Sequence, residues 1–141
     1  MENQKIILFV FTFISIVLLC LSSCNIKKEI LKGGELAGEI IRLDKAFSVS
    51  YDNLNNSNIK NDFTLVPLNG KIKLEYVDGI YDNLNVYLYD TRYEEYIQCG
   101  TIDGEGKHIT FSNLSGSYSY YIEVEFAGTS EANTLVLGFS G

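Results

Sequence analysis

The chain has no tryptophan, one histidine and three cysteines in 141 residues. Each shortage excludes something. Nucleophilic catalysis needs a base beside its nucleophile, and no serine or cysteine motif accompanies His108. The Gly-x-Ser-x-Gly elbow is absent as well. His108 and Cys99 alone cannot make a zinc site. Basic residues are also few, with eleven Lys and Arg against eighteen Asp and Glu, a formal charge of −7. No basic stripe is left to follow a nucleic acid. No alternation of helical and strand patterns exists to support a parallel sheet.

The N-terminus carries the longest apolar stretch. Met1–Lys5 is a short polar start, and Ile6–Leu21 is a run of sixteen residues interrupted by Thr12 and Ser15. A spanning helix needs about 20 apolar residues. The run, followed by small residues and then Asn25-Ile26-Lys27-Lys28, has the layout of a secretory signal. Leu21-Ser22-Ser23-Cys24 resembles the bacterial lipobox. The resemblance implies cleavage before Cys24, a diacylglycerol on its sulfur, and Cys24 as the mature N-terminus. Cys20 does not fit, because Leu19 before it is too bulky for a cleavage position. Two buried acyl chains, at about 0.8 kcal/mol per CH₂, make a stable anchor. The expected location is a bacterial cell membrane, lipid-anchored on the extracytoplasmic side. The expected division is residues 1–23 as signal, 24–46 as lipidated tether and 47–141 as the folded domain.

Removing the signal leaves 118 residues, enough for one domain with a real core. With Cys24 lipidated, Cys99 has no partner within the chain, so an exported domain must rely on packing. Charge is unevenly spread. Residues 24–46 hold five basic and four acidic side chains, and residues 47–141 hold five basic and thirteen acidic. A weakly basic tether suits an anionic membrane surface, with the acidic domain held off it.

Gly33-Gly34 and Gly38 break any helical pattern in the tether, although a strand or short helix fits Leu36–Leu43. From Phe47 onward the apolar period is two. Phe47, Val49 and Tyr51 alternate with serines, and Ile72, Leu74 and Tyr76 with Lys71, Lys73 and Glu75. Leu84, Val86 and Leu88 alternate with Asn85, Tyr87 and Tyr89. Tyr118, Tyr120, Ile122, Val124 and Phe126 alternate with Ser119, Tyr121, Glu123 and Glu125, and Leu135, Leu137 and Phe139 close the chain. Such alternation marks half-buried strands. Asn69-Gly70 predicts a two-residue hairpin pairing Leu65 with Leu74 and Phe63 with Tyr76. Asp103-Gly104-Glu105-Gly106 predicts a second, pairing Thr101 with Ile109 and Cys99 with Phe111. Cys99 is then in the core, and His108 is outside beside Ile102. The fold class is all-β, a small antiparallel β-sandwich of jelly-roll or immunoglobulin-like type with seven or eight strands. Tyr-Asp-Asn-Leu-Asn occurs at both 51–55 and 81–85, but the flanks differ and no structural repeat follows.

Residues 62–139 resemble the bacterial pre-peptidase C-terminal domain, a small β-sandwich appended to secreted proteases and other exported proteins. Asp62-Phe63-Thr64-Leu65 with Asn69-Gly70-Lys71-Ile72 is similar to its opening hairpin. Leu84-Asn85-Val86-Tyr87-Leu88-Tyr89-Asp90 resembles its strand of alternating aspartate and aliphatic residues. Gly116-Ser117-Tyr118, leading into Ile122-Glu123-Val124, resembles its Gly-Thr-Tyr strand start, and Leu135-Val136-Leu137 its last strand. Asn83 and Asn85 stand where that family often has aspartates. The resemblance implies a binding or accessory module without an activity of its own.

Candidate chemistry is sparse. Glu94-Glu95 and Glu123 with Glu125 are paired carboxylates, but no pocket separates their pKa values, and no enzyme is expected. Asp78, Asp82 and Asp90, with Asn83, are the candidate oxygen ligands for calcium; they are also ordinary turn residues. No other cofactor is expected. Tyrosine is abundant, at ten residues. Tyr76, Tyr118 and Tyr120 take the core side by parity. Tyr87, Tyr89 and Tyr121 face solvent, and Tyr81, Tyr93 and Tyr96 flank them in loops. A rigid ring with a polar tip is a good contact group, so Tyr87, Tyr89 and Tyr121 are the candidate binding residues. The functional expectation is a membrane-anchored binding module at the cell envelope, with an envelope protein, peptide or glycan as partner and no nucleic acid. The alternative is a protective or inhibitory lipoprotein, of immunity or lysozyme-inhibitor type, that intercepts cationic peptides or proteins.

Overall fold

The computed structural model describes residues 30–141 apart from 53, 55–57, 80, 82 and 128–133. The signal segment, Cys24 and Asp82 of the candidate calcium set therefore lie outside the described residues. Among those described, no helix is long and apolar enough to cross a membrane.

The alternating segments become strands β1 (Ile30–Lys32), β2 (Ile40–Arg42), β3 (Phe47–Tyr51), β4 (Ile59–Lys60), β5 (Thr64–Val66) and β6 (Ile72–Asp78). They continue as β7 (Asn83–Asp90), β8 (Glu95–Ile102), β9 (His108–Phe111), β10 (Tyr120–Ala127) and β11 (Leu135–Ser140). A five-stranded sheet has the order β1-β3-β11-β6-β9, and the other sheet has the order β2-β5-β10-β7-β8, with β4 also on β10. The two close on one another as an all-β sandwich. Pairing is antiparallel except at two edges, where β1 is parallel to β3 and β2 is parallel to β5.

Alternation predicts seven or eight strands, and eleven are present among the described residues. β1, β2 and β4 have two or three residues each, too few for a period to show. The sandwich thus takes in residues 30–46, the outer part of the expected tether. Leu31 pairs with Val49 and Ile41 with Leu65, each half-buried on the core side.

Parity sets the core. Val49, Leu137 and Tyr76 form one row across the five-stranded sheet, and Phe47, Phe139, Leu74 and Ile109 form the next. The six-stranded sheet answers with Val124 and Val86, and with Ile122 and Leu88. Phe63, Phe139 and Phe47 make aromatic contacts at centroid distances of 5.2–6.2 Å. Leu74, Tyr76, Leu84, Leu88, Ile122 and Leu137 are fully buried. Removing such surface from water is the main stabilising term, at about 25 cal/mol per Å².

Both expected hairpins are corners instead. Gly70 does take the left-handed φ of 70°. The turn, however, carries the chain from β5 in the six-stranded sheet to β6 in the other. Leu65 pairs with Ile41 and Tyr120, and Leu74 with Phe139 and Ile109. The 103–106 turn likewise leads from β8 in one sheet to β9 in the other, and Gly106 N donates to Tyr76 O at 2.7 Å. A turn signal specifies local backbone, and alternation specifies faces. Neither specifies which strand lies alongside.

Position 99 is corrected for the same reason. β8 pairs with β7, with Tyr89 opposite Tyr96 and Leu88 opposite Gln98. Cys99 lies opposite Tyr87 and alternates regularly with the buried Ile102, so it faces out and is exposed, while Ile102 is buried opposite Leu84. Ile97 is the extra residue of a bulge, which puts Tyr96 on the same outer side as Cys99. His108 is exposed, as expected. Gln98 faces in and clamps the sheets together. Its Nε2 donates to Ser112 O at 2.7 Å, and Ser112 N donates to its Oε1 at 3.3 Å.

Candidate tyrosine face of the six-stranded sheet

β7 and β10 are neighbours, with Tyr89 opposite Tyr121, Tyr87 opposite Glu123 and Asn85 opposite Glu125. The three tyrosines that parity places outside therefore share one face. The register of β8 adds a fourth, Tyr96, opposite Tyr89. Tyr121, Tyr89 and Tyr96 form one row across three strands. Tyr121 and Tyr89 are stacked, with centroids 4.4 Å apart and planes 12° from parallel. Tyr96 leans on Tyr89 at 3.8 Å and on Tyr87 at 5.0 Å. Adjacent strands are about 4.8 Å apart, so rings stacked across them stand upright on the sheet. They offer edges and hydroxyls to solvent. Tyr87, Tyr89 and Tyr121 are half-buried by this mutual packing, and Tyr96 is 53% exposed.

Acidic groups border the row. Glu123 and Glu125 point to the same side of β10. Tyr87 Oη donates to Glu125 at 2.9 Å, and Tyr96 Oη donates to Glu123 at 3.4 Å. The bond to Glu125 pushes the Tyr87 phenol above the ordinary tyrosine range, with burial adding to it. Burial first, then the neighbouring Tyr96 and Glu123, pushes Tyr89 up as well. Lys60 of β4 lies opposite Glu123. Its Nζ sits 4.7 Å from the Tyr121 centroid and 5.7 Å from that of Tyr89.

The other tyrosines separate from this face. Tyr81 is buried, stacked on Phe126 at 4.3 Å, and its N–H donates to Tyr76 Oη at 2.9 Å. Tyr120 and Tyr76 are core residues, as parity predicts. Tyr118 is not, because β10 begins only at Tyr120. It is 40% exposed, and its ring covers the Arg92 guanidinium at 3.5 Å. The Tyr93 ring is also near Arg92, at 4.8 Å.

Asp78 and Asp90 do not converge. Asp78 ends β6, and its Oδ1 accepts from Gly79 N at 2.9 Å. Asp90 ends β7 at the far end from Asn83, seven residues or about 23 Å along the strand. It is buried and bonded to the backbone N, Nε and Nη2 of Arg92. That partner holds its carboxyl below the usual range. No group of three or more His, Cys, Asp or Glu side chains suited to a metal ion occurs among the described residues. A concavity of about 370 Å³ lies elsewhere, between β1, the 3₁₀ turn at Gly33–Leu36 and β3, and Tyr51 and Leu54 line it.

No protein-family model matches the chain, and no curated protein matches it in sequence. Solved structures do. The pre-peptidase C-terminal domain of a collagenase from Bacillus anthracis is 16% identical, covering 82% of this chain and 97% of its own, with a TM-score of 0.46. PliG of Aeromonas hydrophila, a periplasmic inhibitor of g-type lysozyme, is 17% identical, covering 79% and 98%, with a TM-score of 0.42. The first is from the family whose motifs residues 62–139 resemble. Neither likeness is close enough for a site to be carried across.

Proposed function

We propose that the chain is a lipid-anchored, extracytoplasmic interaction module whose tyrosine face docks another protein of the cell envelope. The observation that carries this is the row Tyr121–Tyr89–Tyr96, three rings contiguous across three strands and open on one side. Upright rings favour a protein over a glycan. A sugar stacks on open ring faces, and here Tyr89 is flanked by Tyr121 and Tyr96 while the Lys60 ammonium lies over Tyr121. Edges and hydroxyls, with carboxylates at the border, match the mixed apolar and polar surface that proteins bury against one another.

A photo-crosslinking residue placed at Thr101, on the tyrosine side of β8, should give a discrete adduct in native membranes. The same residue at Thr110, on the outer side of the other sheet, should not. The Tyr96→Ser and Tyr121→Ser changes together should remove the adduct. Equal adducts from both positions, or an adduct indifferent to the two changes, would refute a docking role for this face.

A further inference from the structure

We propose that the docking partner inserts an arginine side chain, which takes the position over Tyr121 that Lys60 now holds and pairs with Glu123. The proposal rests on the docking role of this face and names the chemistry that it recognises. Three observations carry it. The Lys60 ammonium already lies against the Tyr121 and Tyr89 rings, so the row attracts a cation from within the molecule. Glu123 and Glu125 accept from phenols only, and neither forms an ion pair among the described residues, where Asp90–Arg92 is the pair present. The two carboxylates project from one side of one strand, two residues and about 7 Å apart. That leaves net negative charge beside an aromatic row.

Arginine fits this arrangement better than lysine. A guanidinium stacks on an aromatic ring and at the same time offers a planar fork of N–H donors to a carboxylate. An ammonium does one of these at full strength, and Lys60, tethered to β4, reaches the rings without pairing with Glu123. Phenols donating to both carboxylates orient their remaining lone pairs toward the incoming fork.

The test uses the full chain in detergent micelles with ¹³C-labelled tyrosine and three probes: hexa-arginine, hexalysine and hexaglutamate. Hexa-arginine should shift the Tyr121 and Tyr89 ring resonances saturably, several-fold more tightly than hexalysine, and hexaglutamate should shift neither. Glu123→Gln with Glu125→Gln should weaken hexa-arginine at least tenfold, and Glu75→Gln, on the outer side of the other sheet, should leave it unchanged. Lys60→Met should tighten it by removing the internal competitor. Equal affinity for the two cationic probes, an equal loss from Glu75→Gln, or weaker binding to Lys60→Met overturns the proposal. Should the double variant lose its folded spectrum, Lys60→Met alone decides. If the Thr101 crosslink persists while hexa-arginine fails to bind, the docking role stands and the arginine site falls. If the crosslink is also lost, both fall.

Discussion

Gly100 of β8 lies directly against Ile109 of β9: a Cβ on Gly100 would fall 2.0 Å from Ile109 Cδ1. The two strands belong to different sheets, so this is where the sandwich closes at one side. Gly100 faces inward opposite Val86. The space that its side chain would take is filled by Ile109 from the facing layer. Gly100→Ala should destabilise the fold by about 1–3 kcal/mol through overpacking. Ile109→Val removes the clashing methyl, so the double variant should lose less than the sum of the singles. A double-mutant cycle by urea unfolding checks this; additivity would show that the close approach is not kept in solution.

Strand faces can be tested apart from strand order. Leu74→Ala and Ile122→Ala should each cost about 2–5 kcal/mol, because both side chains are fully buried among neighbours that relax only partly. Lys73→Ala, one residue away on the outer side, should cost little. Three equal small losses in denaturant unfolding would contradict the assigned faces.

These faces were legible in the sequence because a strand's period of two is a local property. Leu84, Val86 and Leu88 place Tyr87 and Tyr89 outside whatever lies alongside. Strand order is not local. The Asn69-Gly70 turn reads equally well as a hairpin or as a corner, and only the rest of the core decides. The bulge at Ile97 shows how far one residue can mislead, since it brings Tyr96 into the tyrosine row. Tyr96 was missed as a site residue for that reason. Its register opposite Tyr89 could be found only once β7 and β8 were known to pair. Tyr118 failed differently, because parity was extended two residues beyond the strand's true start.

Acid stability should depend on the Asp90–Arg92 pair. Hydrogen bonding to Arg92 lowers the Asp90 pKa from its ordinary 3.8. A carboxylate with a depressed pKa in the folded state stabilises it above the ordinary value, and that contribution disappears as the pH falls through the folded value. Wild-type protein should therefore lose stability as the pH drops below about 4. Asp90→Asn should flatten this part of the profile, as measured by thermal unfolding from pH 6 to pH 2. Arg92→Gln should be worse than Asp90→Asn at neutral pH, because it strands a buried carboxylate.

The anchor is open to a direct measurement. Cys24→Ala should leave an unprocessed precursor that carries no lipid, visible by mass spectrometry of the membrane fraction. In the wild type the mature N-terminus should be a modified Cys24. An N-terminus at any other residue would remove the lipid anchor from the proposed function.

The tyrosine face should also show itself at alkaline pH. Tyr87 is held above the ordinary value of 10.0 first by its hydrogen bond to Glu125, and Tyr89 first by burial. An acid whose pKa is raised by folding stabilises the fold fully below its unfolded value. The contribution is lost as the pH climbs through the folded value. The ring resonances of Tyr87 and Tyr89 should therefore titrate above pH 10, in the range where the fold itself begins to weaken. Glu125→Gln replaces a charged acceptor by a neutral one and removes the nearby negative charge, so Tyr87 should move back toward the ordinary value while Tyr89 moves little. Resonances followed by NMR in ¹³C-tyrosine protein separate the two. If Tyr87 ionises at its ordinary value in the wild type, its 2.9 Å bond to Glu125 does not persist in solution. One of the two phenols that orient the carboxylates for a partner's cation would then be lost.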